Sequence, residues 1–327
     1  MAKKLAGVGS EVDSVISQTS QNQEISRLQK QNRQLQEIVD RQAEALEAKA
    51  SKVRLTPGSK GSARGTYIRL CVPDTHGSKI SRDSFSRVLR DASSMDVREV
   101  VLLGDHVDVG GFLAQHHALG YVAECDYSYE QDIAEANGML DALAKACPKA
   151  EIHYLEGNHE SRAEKWCVTQ ALRSGVDANY LLQMISPQRL MHLDKRNIKY
   201  YRIGEFHQGL HIRGTIKLGK CYFTHGSTTS KHAASKMVDM FGGNVVFGHI
   251  HRAQSHLRRT VHEGVLGAWC PGCLCHIQPT WMHATLTDWS HGYGLQVVQA
   301  SGEFLHINVP IVDGASLLEP LLKAIKC

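Results

Sequence analysis

The first 65 residues contain no Phe, Trp or Tyr, so this stretch has little with which to build a packed core. No apolar run approaches the ~20 residues of a bilayer crossing, which argues against a membrane-spanning chain. Met1-Ala-Lys-Lys-Leu5 leads into polar sequence rather than into the apolar stretch of a secretory signal. The nine cysteines are odd in number and irregular in spacing, which predicts reduced thiols and a cytoplasmic location rather than a disulfide scaffold. Acidic and basic residues do not balance along the chain. Residues 1–65 hold eleven Lys/Arg against seven Asp/Glu, whereas the remainder carries 26 of each. Any pull on an acidic partner therefore sits in the N-terminal arm. With 42% hydrophobic residues in 327, the chain can still bury a full core in one large domain or two small ones.

Three segments follow from pattern. Residues 1–50 form an arm in which Gln21 to Ala50 reads as a helix, with Ile25, Leu28, Leu35, Val39 and Leu46 on the a and d positions of one heptad frame. Asn32 takes an a position, where a lone amide helps fix register, while Gln42 and Lys49 fill two d positions. The arm is read as an oligomerising coiled coil, the alternative being a solvated helix lying on the body. Residues 51–65, with Pro57, Gly58, Gly61 and Gly65 among Lys52, Arg54, Lys60 and Arg64, read as a flexible basic linker. The compact domain occupies 66–327. Strands are predicted at 67–72, 99–103, 152–155, 221–224, 245–247, 294–298 and 304–309, and helices at 81–92, 128–147 and 159–172. Strands alternating with helices predict a layered α/β domain.

Each of the first three strands runs into polar, metal-competent residues. They are Pro73-Asp74-Thr75-His76-Gly77, then Gly104-Asp105-His106-Val107-Asp108, then Gly157-Asn158-His159-Glu160. Thr224-His225-Gly226 and Gly248-His249-Ile250-His251 end two later strands. Loops at the carboxyl ends of α/β strands are where such folds place their sites. Carboxylates, imidazoles and an amide oxygen together suit a pair of divalent transition ions. One carboxylate can bridge both, and ions ~3.5–4 Å apart can clamp a phosphate and activate a water.

The series Asp-x-His, Gly-Asp-x-x-Asp, Gly-Asn-His-Glu, His-Gly and Gly-His-x-His resembles the calcineurin-like metallophosphoesterase superfamily over residues 66–310. The resemblance implies a four-layered α/β/β/α sandwich. It also implies that Asp74, His76 and His251 hold a first ion, that Asn158, His225 and His249 hold a second, and that Asp105 bridges them. A metal-bridging hydroxide would attack phosphorus in line. His159, oriented by Asp108, would steady the transition state or protonate the leaving oxygen. Arg162, one helical turn on, is a candidate phosphate clamp, with a surface salt-bridge partner as the competing role. Manganese is the first expectation for the ions, and Fe, Zn and Ni accept the same donors.

Serine/threonine phosphatases of this superfamily carry Arg-Gly where this chain has Val109-Gly110, and Arg where it has Glu156. They also lack the second His of Gly-His-x-His, present here as His251. These departures favour a phosphodiester, in nucleic acid or a nucleotide, as substrate; a phosphomonoesterase and a non-catalytic oligomeric scaffold are the alternatives. Gly-His-x-His is similar to the repair-nuclease and cyclic-nucleotide phosphodiesterase branch, although Glu160 stands where those enzymes usually have Asp. Gly157-Asn-His-Glu-Ser-Arg162 and Pro271-Gly-Cys-Leu-Cys275 are similar to phage-encoded members, which would place the protein in a host cytoplasm. Cys270, Cys273 and Cys275 invite a zinc reading, but no second paired element stands out, so a loop entering a strand with packed thiols is expected. His106, His116 and His117 are expected to pack or lie at the surface, near enough to the strand ends to meet substrate. Trp281, Trp289 and Tyr293 are expected to pack the second sheet, with stacking on a base as the alternative. Leu317 to Ile325 reads as a short amphipathic helix.

Overall fold

A computed structural model describes residues 65–110, 127–279 and 286–320, together with Ser26, Arg27, Lys30, Arg33, Gln34, Glu37 and Arg41. The chain divides into two units, Met1–Lys52 and Val53–Cys327. In the first, those seven residues are helical and exposed. The heptad positions Ile25, Leu28, Asn32, Leu35, Val39, Gln42, Leu46 and Lys49, the basic linker short of Gly65, His116, His117 and Trp281 lie outside the described residues.

In the second unit the elements are β1 (Tyr67–Val72), α1 (Arg82–Ser93), β2 (Val97–Leu102), α2 (Tyr129–Ala146), β3 (Glu151–Leu155), α3 (Ser161–Gln170), α4 (Gly175–Ile185), α5 (Pro187–Leu190) and β4 (Lys199–Tyr201). They continue through β5 (Thr215–Leu218), β6 (Cys221–Thr224), α6 (Ala233–Phe241), β7 (Asn244–Phe247), β8 (Ala253–Thr260), β9 (Gly264–Pro271), β10 (Gly292–Val298), β11 (Phe304–Val312) and β12 (Ala315–Ser316). Seven strands form one sheet in the order β12-β11-β10-β1-β2-β3-β4, and five form another in the order β5-β6-β7-β9-β8.

The two sheets stack because their strands carry apolar side chains on both faces. Cys71, Val101, Leu103 and Leu155 of the larger sheet meet Ile216, Cys221, Phe223 and Val246 of the smaller in one buried cluster. One residue along, Val245 and Phe247 turn to the opposite face and pack under Ala233, Ala234, Met237 and Val238 of α6. On the outer side of the larger sheet, α1 buries Phe85 and Val88, and α2 buries Ile133, Leu140 and Leu143. The result is the expected α/β/β/α sandwich. No helix among the described residues is long and apolar enough to cross a membrane.

Topology then places the loops. β1, β2, β3 and β4 are mutually parallel, with Leu70 beside Val100 and Val100 beside Ile152, so their carboxyl ends lie along one edge. β6 and β7 are also parallel, with Thr224 beside Phe247. All five motif-bearing loops therefore leave their sheets from the carboxyl ends of adjacent parallel strands.

Three expectations change. β10 and β11 join the larger sheet, β10 antiparallel to β1, so Tyr293 packs toward α1 and donates to Asp91 Oδ2 at 2.7 Å instead of packing the second sheet. Trp289 stands edge-on to His251 with ring centroids 4.1 Å apart. Cys270 lies inside β9, so the cysteine segment leaves a strand rather than entering one. Of the C-terminal helix predicted over 317–325, Glu319 and Pro320 are helical, the turn before them follows β12, and the rest lies outside the described residues.

Candidate metal centre

Asp105 is the point on which the loops converge. It follows β2, is 2% exposed, and has a left-handed φ of 52°. Its Oδ1 accepts the His159 backbone N–H at 2.8 Å, while Oδ2 lies 3.2 Å from His225 Nε2, 3.8 Å from His159 Nε2 and 4.0 Å from His76 Nε2. Burial works against its ionisation, yet the imidazoles of His225, His159 and His76 hold the carboxyl well below the usual range.

On one side of Asp105, His76 Nε2 and His251 Nε2 face each other at 3.2 Å, and Asp74 Oδ1 lies 3.4 Å from His251 Nε2. Asp74 also accepts the His249 backbone N–H at 3.0 Å, tying the first loop to the last. On the other side, His225 Nε2 lies 2.9 Å from Asn158 Oδ1 and 3.2 Å from His249 Nδ1. All seven expected ligands are thus brought together. Two imidazole nitrogens facing each other at 3.2 Å can share at most one proton between two lone pairs. Here that arrangement occurs twice around one buried carboxylate, a donor set that fits a pair of divalent cations. Groups within the same cluster, His76–Asp105–His159 and Asp105–His225–His249, have donor atoms within 4.8 Å of one another.

The imidazoles are anchored from behind, as metal-bound histidines usually are. His76 Nδ1 lies 3.0 Å from Asp108 Oδ1, and His225 Nδ1 donates to the Leu103 carbonyl at 2.8 Å. His159 Nδ1 donates to the Asp108 carbonyl oxygen at 2.7 Å and lies 3.3 Å from its carboxylate. Asp108 therefore holds both His76 and His159. Arg162 is not a surface ion-pair partner: it donates to the Asp108 carbonyl at 3.0 Å and lies 3.0 Å from His159 Nε2. His106 is fully buried, 3.0 Å from Thr75 Oγ1 and edge-on to Tyr154, a packing role.

Holding so many polar loops side by side requires backbone in unusual conformations. His76, His249 and His251 join Asp105 at positive φ, and Val109, a β-branched residue, does so at 46°. Such conformations cost ~1–3 kcal/mol each and persist only where the surroundings impose them. Two buried carboxylates do so here. Glu160 accepts from the backbone N–H groups of Asp105 at 3.0 Å, His106 at 2.7 Å and Gly157 at 2.9 Å, and from Tyr154 Oη at 2.7 Å. Asp132, at the start of α2, accepts from the N–H groups of Ser78 at 2.9 Å, Asp108 at 2.9 Å and Val109 at 3.0 Å, and from Tyr127 Oη at 2.8 Å. Burial, and then the negative charge of Asp108, raises Asp132 to about 6. Sequence alone marks neither residue for this role. Glu160 stood inside a motif, whereas nothing local marks Asp132.

Glycine is required where loop meets loop. A Cβ at Gly157 would overlap Asp105 Oδ1, and one at Gly248 would lie 2.6 Å from Asp74 Oδ2. Gly157→Ala is therefore expected to displace Asp105 and to lower the metal affinity of the chain by about tenfold or more, the scale seen when a group that orients a metal ligand is lost. Metal titration of parent and variant side by side checks this, and parental affinity in Gly157→Ala would show that the loop gives way without harm.

No family model matches the chain, and no curated protein matches it. Solved structures do. A Vps29 single mutant from Entamoeba histolytica is 13% identical with a TM-score of 0.34, the match covering 76% of this chain and 95% of that one. The hypothetical protein PH1004 from Pyrococcus horikoshii OT3 is 11% identical with a TM-score of 0.37, covering 80% and 94%. The nuclease MPE of Pseudomonas putida is 11% identical with a TM-score of 0.27, covering 73% and 87%. At these identities and scores the likeness assigns no activity to this chain, and the chemistry is read from its own residues.

Proposed function

We propose that the chain is a metal-dependent phosphoesterase holding two divalent ions, as its resemblance to calcineurin-like metallophosphoesterases implies. The observation that carries this reading is the buried Asp105 carboxylate with a facing donor pair on either side, His76 with His251 and His225 with His249. Asp74, His76 and His251 would hold one ion, Asn158, His225 and His249 the other, and Asp105 both. Divalent ions held there would supply positive charge to phosphoryl oxygens and would acidify a water. The remaining steps fall to side chains. His159, with Nδ1 fixed by Asp108, presents Nε2 to the leaving oxygen. Arg162 lies 3.0 Å from that nitrogen, and a phosphate that drew the guanidinium to itself would free Nε2 to carry a proton.

A phosphodiester of a nucleic acid or nucleotide is the substrate class we favour. Glu156 stands where the protein phosphatases place Arg, and it is committed elsewhere: it accepts from Tyr200 Oη at 2.8 Å and from the Ile203 N–H at 2.7 Å. That leaves no guanidinium at this position to grip a phosphoserine dianion. Parallel hydrolysis of bis-p-nitrophenyl phosphate and p-nitrophenyl phosphate with added Mn²⁺ tests the reading, with the diester expected to be preferred. Monoester preference would turn it to a phosphatase, and no turnover with metal bound would favour a scaffold. His159→Asn is expected to lower kcat by ~10²–10⁴-fold while metal content stays at the parent level, so loss of metal would instead make His159 a ligand.

We further propose that the arm assembles copies of the chain. Deleting residues 1–50 is expected to yield single subunits in sedimentation while hydrolysis persists. An unchanged oligomeric state would remove the coiled-coil reading.

A further inference from the structure

The connection between β4 and β5, residues 202–214, is rooted beside two of the ligand loops. At its start, Ile203 N–H donates to Glu156 Oε2 at 2.7 Å, and Glu156 stands two residues before Asn158. At its end, Thr215 pairs with Thr224, the residue before His225. Gly214, at a φ of 60°, closes one root on the other: a Cβ there would lie 2.9 Å from Ile203 Cα. The segment is held along its length. Gly214 N–H donates to the Glu205 carbonyl at 2.8 Å, His207 Nε2 to the Arg202 carbonyl at 2.7 Å, and Lys217 N–H to Gln208 Oε1 at 2.6 Å. On this base Phe206 and Arg213 meet across an antiparallel bridge, with the guanidinium carbon 5.0 Å from the ring centroid. Phe206 is 58% exposed, and Arg213 is exposed too. Arg202 is tied to Glu164 and Glu205, whereas Arg213 makes no ion pair among the described residues. Residues 202–220 carry four Lys/Arg against one carboxylate, Glu205.

Resting on the phosphodiesterase reading above, we propose that Phe206 and Arg213 form a platform for single-stranded nucleic acid, Phe206 stacking on a base and Arg213 meeting the adjoining backbone phosphate. A single exposed aromatic ring is ordinary surface. Joined to an uncommitted guanidinium in a basic segment, it supplies both halves of a single-strand site, because every base offers a π-face and every linkage a negative charge. Arg213 stands two residues before Thr215, so its Cα is at most about 17 Å from that of His225 by chain contour and strand pairing. A strand whose scissile phosphate met Asn158, His225 and His249 would therefore reach the platform within a few nucleotides. Paired bases in a duplex are stacked on one another and offer no free face to the ring, so a single strand is the form that fits.

The test is fluorescence anisotropy of a short labelled oligothymidylate, and of an oligouridylate, with the full chain in the presence of a chelator that prevents cleavage. Turnover of bis-p-nitrophenyl phosphate with Mn²⁺ is measured beside it. Phe206→Ala is expected to weaken binding by about fivefold or more, the scale of one lost stack, and Phe206→Trp to keep it. Arg213→Ala is expected to lower the slope of log affinity against log salt by about 0.7, one phosphate contact on a single strand. Turnover of the small diester, which is too short to reach the platform, stays at the parent level in all three variants. The tighter of the two oligonucleotides names the sugar. A parent chain that binds neither, parental affinity in Phe206→Ala, or equal losses of oligonucleotide binding and small-diester turnover would overturn the platform, the last by showing that the segment only braces the ligand loops. Should the parent bind oligonucleotide through Phe206 yet hydrolyse no diester with metal bound, the platform would stand and the phosphodiesterase reading would fall.

Discussion

Replacing Asp105 with Asn is expected to strip the chain of tightly bound metal and to lower kcat by ~10³-fold or more. The substitution is nearly isosteric, so its effect isolates charge. Asn Oδ1 can still accept the His159 backbone N–H that Asp105 Oδ1 receives at 2.8 Å, which keeps the third loop in place. What is lost is the anionic Oδ2, 3.2 Å from His225 Nε2 and within 4.0 Å of His76 Nε2. An amide NH₂ placed there points protons at nitrogens that must offer lone pairs to a cation. It also removes the one carboxylate that lies between the two donor pairs. Metal content by elemental analysis, turnover and far-ultraviolet circular dichroism should be measured together. Lost metal and lost turnover with an unchanged spectrum is the expected set. Full activity in Asp105→Asn would sink the assignment of this residue as the shared ligand.

The positions around Asp105 were legible in the sequence because each stands directly after an apolar strand, where a short run of Gly, Asp, Asn and His interrupts the hydrophobic pattern. β1, β3, β6 and β7 carry that pattern strongly and were predicted within one residue of their ends. β8 was missed because Ala253–Thr260 is exposed or half-buried throughout and carries two arginines and a histidine, so alternation gives no apolar face to find. β4 and β5 are short, and α4 begins at Gly175, a poor helix former. The layer order was legible as a resemblance, whereas the union of β10 and β11 with the first sheet rests on long-range pairing with β1. The roles of Asp132 and Glu160 were illegible for a shared reason. Each acts on groups supplied by other loops, and no local spacing records a partner that only the tertiary fold delivers.

Glu160→Ala is expected to destabilise the domain by about 3–5 kcal/mol, the scale seen when a buried, hydrogen-bonded charge network loses one member. Glu160 is 1% exposed and receives four hydrogen bonds of 2.7–3.0 Å from Asp105, His106, Gly157 and Tyr154. Removing the carboxylate leaves four backbone N–H groups, that of Val107 at 3.4 Å included, and a hydroxyl buried without an acceptor, each worth about 1–3 kcal/mol if no water reaches it. The same loss frees Asp105 from its left-handed backbone, so metal affinity should fall with stability. Glu160→Gln separates the two ways this residue could matter. It keeps the volume and one acceptor oxygen but turns an NH₂ against backbone donors, so it should fall between parent and Ala in denaturant midpoint. A residue that touched substrate would instead show lowered kcat in Glu160→Gln at parental stability and parental metal content. Denaturation of the metal-free chain is the decisive condition, because bound ions stabilise the native state by mass action and would mask the deficit. An Ala variant as stable as the parent would mean that the sheets alone hold the ligand loops, and that the buried carboxylate serves some purpose other than fixing them.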